Sequence, residues 1–277
     1  MDYNLGVDVT LKRFLTLRAD YYIQRTDDLL SNISLPPSTG FLTYTENLGK
    51  IENRGYELAV SVTPWRDDER QAYVTLSATA LHNKNKIKKI YDIFKNSNDE
   101  QNSSLDGSYD YNDGQPGDTE VLEKYLNKFT KPATLYYEGC SMTAIWGVRS
   151  LGIDPATGQE MFLTKDGRST YTWSSADQVV IGDTSPKMSG TLNLNAGYKG
   201  FTFSASCSYK FGGDLYNSEL VARMENINGQ SNLDRRLFNA WQKVGDVAPY
   251  KVTVISSGST NYTKPTSRFV QKNNELY

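Results

Sequence analysis

Residues 191–211 read Thr191-Leu192-Asn193-Leu194-Asn195-Ala196-Gly197-Tyr198-Lys199-Gly200-Phe201-Thr202-Phe203-Ser204-Ala205-Ser206-Cys207-Ser208-Tyr209-Lys210-Phe211. Up to Tyr198 the even positions are apolar; from Phe201 onward the odd positions are, and the two runs meet at Lys199-Gly200. Alternation with a period of two places one set of side chains on each face of a β-strand, and a two-residue turn containing Gly joins such runs into a hairpin. The opposite set is almost entirely Thr, Asn, Gly, Ser and Lys, so this hairpin has one apolar and one polar face.

The same pattern recurs along the chain. Strands are expected at about 3–11, 15–24, 55–63, 71–82, 190–198 and 201–211, each apolar on one side and polar on the other. A helical period is nearly absent; a short helix is expected only around 117–128. The connections alternate in length. Short turns join the members of each pair, whereas long polar stretches at about 25–54, 83–189 and 213–277 read as loops.

Short turns at one end and long loops at the other are the layout of an outer-membrane β-barrel. A strand of about ten residues, rising ~3.3 Å per residue at ~45° tilt, covers roughly 23 Å, close to the ~25 Å apolar band of such barrels. Tyr3, Tyr21, Tyr198, Phe201, Tyr209 and Phe211 fall near strand ends, where aromatic girdles sit. The fold class is therefore all-β, an antiparallel transmembrane barrel segment with long extracellular loops. The competing architecture is a secreted, soluble β-sandwich that binds carbohydrate, since sandwich strands alternate too. The long 83–189 stretch disfavours it, being unusual in a compact soluble domain. Because an open sheet edge in lipid leaves backbone groups unsatisfied, the chain is expected to form part of a barrel.

Composition removes other classes. Lys+Arg 30 against Asp+Glu 32 leaves a net charge of −2, without the global field that nucleic-acid binding exploits. A single histidine, His82, excludes multi-histidine metal sites and is expected at a solvated strand rim. Cys207 is expected on the apolar face and Cys140 in a loop, so no disulfide is expected between them. No apolar run reaches the length of a transmembrane helix. The opening MDYNLGVDVT lacks the basic, apolar and cleavage regions of a secretory signal. No nucleotide-binding loop or nucleophile elbow is present, and no pair of acids is singled out as a glycosidase would need, so no enzyme activity is expected.

Several stretches carry a resemblance. Asp20-Tyr21-Tyr22-Ile23-Gln24-Arg25-Thr26-Asp27-Asp28-Leu29-Leu30 and Asn47-Leu48-Gly49-Lys50-Ile51-Glu52-Asn53-Arg54-Gly55-Tyr56-Glu57-Leu58 are followed in order by Glu138-Gly139, Trp146-Gly147, Leu151-Gly152-Ile153-Asp154-Pro155, Ile181-Gly182-Asp183-Thr184-Ser185-Pro186-Lys187 and Phe211-Gly212-Gly213. This order resembles the SusC/RagA family of TonB-dependent outer-membrane transporters, and the Asn47–Leu58 segment is its most specific part. The resemblance implies an internal fragment of the C-terminal half of a roughly 22-stranded barrel. The signal segment, the TonB box and the plug would precede Met1, and the final strands would follow Tyr277. It further implies import of glycan oligosaccharides, or in some members peptides, with a SusD-like surface lipoprotein and energy from TonB. It implies no cofactor. Family members often carry D-x-D-G ahead of the Ile-Gly-Asp segment; Lys165-Asp166-Gly167 keeps half of it.

The polar faces place Asp8, Arg18, Asp20 and Glu57 toward a lumen, where pairing with each other or with a plug is the expected role. Loop aromatics Tyr109, Tyr111, Tyr136, Tyr137, Trp146, Tyr171 and Trp173 are candidates to stack on substrate, with packing inside the loops as the alternative. The oxygen-rich run Asp106 to Asp118 fails the spacing of a Ca²⁺ loop and reads as a polar loop.

Overall fold

A computed structural model of the chain describes residues 2–34, 43–106, 130–227, 232–252 and 263–277. Four long strands open it: β1 (Asp2–Leu11), β2 (Leu15–Ser34), β3 (Thr43–Asp67) and β4 (Ala72–Ile90). Helix α1 (Asp92–Asp106) follows, then five short strands, β5 (Ala144–Gly147), β6 (Arg149–Ile153), β7 (Glu160–Leu163), β8 (Ser169–Thr170) and β9 (Val179–Asp183). The chain then returns through β10 (Met188–Tyr198) and β11 (Phe201–Tyr216), makes helix α2 (Ser218–Met224), and ends in β12 (Val270–Leu276).

The long strands form one antiparallel sheet in the order β1-β2-β3-β4-β10-β11-β12, while β5-β9 and β6-β7-β8 make two small sheets of their own. The wall does not close on itself: β1 and β12 are its edges. At Lys199-Gly200 both residues have positive φ, +46° and +88°, which is what a two-residue hairpin of matching twist requires.

Register turns the sequence alternation into rows across the wall. On one face lie Leu15–Val62–Leu76, Leu17–Val60–Ala78 and Ala19–Leu58–Ala80. Two of these rows continue through Leu194 to Ala205 and through Leu192 to Cys207. Among the described residues no second layer covers this face: Leu5 is 72% exposed and Phe203 59%. A sandwich would bury both, so the sandwich alternative is set aside. Water is not a tolerable neighbour for so continuous an apolar face, whereas hydrocarbon is.

The other face is joined by cross-strand polar contacts. Ser61 meets Ser77 at 3.1 Å, Thr63 meets Thr75 at 3.1 Å, and Thr79 meets Thr191 at 2.9 Å. Ser206 and Ser204 donate to Asn193 and Asn195. Close approach needs glycine at two places. Tyr209 lies over Gly190 to donate to the Thr79 carbonyl at 2.8 Å, and a Cβ on Gly190 would run into that same carbonyl. On the polar face Tyr22 lies over Gly55 and donates to Asn83.

The strands outrun the expected bounds, which corrects three expected loops. In 25–54, β2 continues to Ser34 and β3 begins at Thr43, with the two paired beyond the apolar rows. In 83–189, β4 runs on to Ile90 before α1, and the rest holds the two small sheets. In 213–277, β11 reaches Tyr216 and Val270–Leu276 is a seventh wall strand. The physical reason is shared. Above the apolar rows the outer face turns charged, and the inner face is apolar only around Leu48, Ile51, Ile87 and Ile90, where α1 covers it, so the alternation that reveals a strand breaks although the backbone ladder continues. Register shifts around Thr26, Leu29 and Lys50 break what periodicity is left. The expected helix at 117–128 lies outside the described residues.

Two cores sit above the wall. Leu48, Ile51, Ile87, Ile90 and Phe94 pack where the extended β3 and β4 meet α1. Ile145, Tyr216, Leu220, Val221, Met224 and Phe269 pack where β11 ends and α2 begins. Asn98 of α1 is buried and engages both the N–H and the C=O of Tyr136, which pins the helix to the returning chain.

Candidate functional site

Strand β5 carries Trp146 and pairs with β9, Trp146 lying opposite Val180. Just before β9 the chain makes a 3₁₀ turn, Ser175–Asp177, capped by the Ser174 side chain accepting from the Ala176 N–H, and this turn delivers Gln178 beside Trp146. Tyr137 packs on the indole with ring centres 4.8 Å apart. Asn102 of α1 closes the group: its Nδ2 donates to the Tyr137 hydroxyl at 3.2 Å and its Oδ1 accepts from Gln178 Nε2 at 3.1 Å.

The consequence is a matched donor and acceptor. With Gln178 Nε2 engaged, its Oε1 is left buried without a partner among the described residues, and so is Trp146 Nε1. Both residues line a cleft of ≈ 400 Å³, together with Leu135, Tyr137 and, at the rim, Lys165. Buried polar atoms are normally satisfied, and one left open costs about 1–3 kcal/mol. A buried donor and a buried acceptor in the walls of one cleft suit a guest that both gives and takes a hydrogen bond, such as a sugar hydroxyl or a peptide amide, once the side chains turn toward it.

An ionic cluster holds the neighbouring segments together. The Arg268 guanidinium reaches Glu160 through Nε at 3.1 Å and through one terminal nitrogen at 2.8 Å. It reaches both Glu225 oxygens at 2.7 and 2.8 Å. The Pro249 carbonyl accepts a further bond, and the guanidinium lies 4.5 Å from the Phe269 ring centre. Thr263 donates to Glu225 at 2.7 Å. Burial pushes the Glu225 carboxyl up, but the hydrogen bonds and charge of Arg268 outweigh it and hold the group below its ordinary value. Burial pushes the Lys251 ammonium down, against the pull of Glu225. The cluster ties β7, the end of α2 and the segment entering β12 into one body.

Comparison with known proteins gives these features a context. Residues 2–127 match the family model described as TonB dependent receptor-like, beta-barrel. The chain is 26% identical over 91% of its length to TonB-dependent receptor P39 of Formosa agariphila, and 29% identical over 86% to TonB-dependent receptor P3 of that organism. The chain is thus similar to TonB-dependent receptors over most of its length. It covers 26% and 22% of those two proteins, about a quarter of their length. A 64-residue stretch is 36% identical to TonB-dependent receptor SusC of Bacteroides thetaiotaomicron, covering 22% of this chain and 6% of that protein. The fold is that of the RagAB peptide transporter, with a TM-score of 0.69 at 18% identity over 99% of this chain and 27% of that one. These are outer-membrane β-barrel proteins, and the wall described above is a segment of such a barrel.

Within this barrel segment the expected substrate-contact residues separate. Trp146 lies in the cleft but is buried, 7% exposed. Trp173 is committed elsewhere: its Nε1 donates to the Pro265 carbonyl at 3.1 Å and Lys264 lies over its ring at 4.8 Å. Tyr171 is exposed and donates to Asp154 at 2.7 Å. Tyr109, Tyr111 and most of the Asp106–Asp118 run lie outside the described residues. Asp8, Arg18, Asp20 and Glu57 all lie on the polar face, where Arg18 donates to Asp8 at 2.8 Å. Asp20 and Glu57 stand directly opposite each other, with no ion pair to either among the described residues. Register thus places these two acids together rather than against a cation of the facing strand. His82 is not a freely solvated rim residue: it stacks on Tyr56 at 5.1 Å and its Nδ1 meets the Lys187 carbonyl.

Sequence reasoning missed Gln178, Asn102 and Arg268. Each takes its role from a partner far away along the chain, 76 residues for the Gln178–Asn102 bond and 108 for Arg268–Glu160. No local spacing signals them.

Proposed function

We propose that this chain supplies part of the wall and extracellular loops of an outer-membrane importer of glycan oligosaccharides or peptides. The importer is driven through TonB and works with a SusD-like surface lipoprotein. In this reading the polar face, with Asp8, Arg18, Asp20 and Glu57, lines the lumen, and the loop bodies above it meet the substrate and the lipoprotein. The observation that carries it is the Trp146–Gln178 cleft on the loop side of a barrel wall. Its lining joins the Trp146 and Tyr137 rings to Gln178, and Trp146 Nε1 and Gln178 Oε1 are without partners among the described residues, surroundings of the kind that oligosaccharide and peptide sites use.

The test is uptake and binding by the full-length receptor with labelled short oligosaccharides and labelled short peptides. Trp146→Ala and Gln178→Leu are each expected to weaken binding of the accepted class by roughly tenfold. Trp173→Ala is expected to change it less, since that indole is already engaged. Unchanged affinity in both cleft variants would remove the cleft from the transport path. Oligosaccharide acceptance with peptide rejection, or the reverse, assigns the substrate class.

A further inference from the structure

Above the apolar rows the outward face changes character in a fixed order. The next row is aromatic, Tyr21–Tyr56–His82, and the two beyond it are Ile23–Arg54–Lys84 and Arg25–Glu52–Lys86. Lys88 joins the last of these through Glu52. Rows are two residues apart, so at ~45° tilt each adds about 5 Å of height. The charged rows thus stand roughly 5–10 Å above the aromatic row, on the side of the long connections.

The charge at this level is one-sided. These rows carry five cations, Arg25, Arg54, Lys84, Lys86 and Lys88, against one carboxylate, Glu52, although the whole chain is net −2. Glu52 is 2% exposed and is held by Arg25 at 2.8 Å, Arg54 at 2.6 Å and Lys88 at 3.0 Å, so it fixes three cations in one place. Lys84 and Lys86 are exposed and joined to no acid among the described residues. At the same height the opposite face is neutral, with Tyr22–Gly55–Asn83 and Gln24–Asn53–Asn85. A wall that needed cations only for solubility would not confine them to the face continuous with its lipid-facing rows.

We propose that this terrace of Arg25, Arg54, Lys84, Lys86 and Lys88 binds the phosphate-bearing headgroups of the lipid leaflet surrounding the barrel on its loop side. Tyr21 and Tyr56 mark the upper limit of the hydrocarbon, and a headgroup phosphate above them meets guanidinium and ammonium groups already oriented by Glu52. Each cation near an anionic membrane surface is worth on the order of a fivefold change in affinity. The inference rests on the chain's place in an outer-membrane barrel and is independent of what the receptor imports.

The experiment uses the full-length receptor in detergent and reads bound lipid by native mass spectrometry. The probe is diphosphorylated lipid A, with dephosphorylated lipid A and inorganic phosphate as comparators. Wild type is expected to retain the diphosphorylated lipid preferentially, with free phosphate a poor competitor. The triple variant Arg54→Gln, Lys84→Gln, Lys86→Gln is expected to weaken retention by roughly a hundredfold. Lys199→Gln, at the opposite hairpin turn, is expected to leave it unchanged. Lys84→Gln alone touches no ion pair and covers the case in which the triple variant misfolds; a loss of roughly fivefold is expected of it. Equal retention by wild type and Lys84→Gln, equal binding of the dephosphorylated lipid, or full displacement by inorganic phosphate would overturn the proposal.

Discussion

The wall and the loop bodies are built from the same chain by opposite rules. In the wall each side chain is assigned by the solvent on its side of the sheet, and no layer of the described residues packs on the apolar face of Leu58, Val60 and Leu192. In the loop bodies Phe94, Val221 and Phe269 are buried by neighbours distant in sequence, and a charged cluster at Arg268 takes the place of surface contacts. The wall is thus stabilised by its backbone ladder and by lipid. The loop bodies are stabilised, as small soluble domains are, by interior packing and by a few paired charges.

The comparison can be broken most sharply at Arg268. Arg268→Met leaves Glu160 and Glu225 buried without their cation, a change that costs about 3–5 kcal/mol. Hydrogen exchange should accelerate across β7, α2 and the segment before β12, while β10 and β11 below Phe211 keep their protection. Equal loss in both regions would show that wall and loop bodies unfold as one unit.

A charge placed on the lipid-facing side tests the other half. Val60→Arg is expected to lower the stability of the receptor folded into lipid vesicles by about 2–4 kcal/mol, measured by denaturant titration. Ser77→Arg, on the polar face of the neighbouring strand, should cost much less. Equal costs would mean that both faces meet the same solvent.

Close packing within the wall gives a smaller effect. Gly190→Ala puts a methyl group against the Thr79 carbonyl and under the Tyr209 ring, and about 1–3 kcal/mol is expected to be lost in the same titration. Tyr209→Phe should recover none of it, because the obstruction is to backbone.

Acidification should separate the regions most gently. Glu225 titrates below its ordinary value in the folded chain, so its contribution is complete above the unfolded carboxylate range near ~4.3 and is lost as pH falls through the lower folded value. Glu52 lies above the apolar rows, and its hydrogen bonds to Arg54, Arg25 and Lys88 hold it at about 2, so it follows the same sign. Protease sensitivity of the 220–268 body should therefore rise below about pH 4, before the wall hairpins open. Opening near neutral pH would show that some group other than these carboxylates controls the body.

Much of the wall was legible because a strand between two different solvents must alternate. The hairpin 190–211 and the pairs 3–24 and 55–82 follow from that constraint, as does the apolar position of Cys207 opposite Leu192. The strand extensions were not legible: above the apolar rows the outer face carries Arg25, Glu52 and Lys86 in place of apolar residues, and the inner face is covered by α1, which no local pattern announces. Of the candidate site, Trp146 and Tyr137 were visible as loop aromatics. The burial of Trp146 and the engagement of Trp173 by Pro265 and Lys264 were not, because burial in a loop body depends on which distant segment returns to cover it.

By itself the sequence determined the strand faces, the short turns and the barrel class, all properties that a residue shares with neighbours one or two positions away. The tertiary structure alone decided three things: that Gln178 meets Asn102, that Arg268 bridges Glu160 and Glu225, and that the cations of β2, β3 and β4 gather around Glu52. The difference is physical. Alternation is imposed locally by the solvent on each side of a strand. A buried polar contact instead depends on desolvation by chain segments whose approach no local pattern encodes.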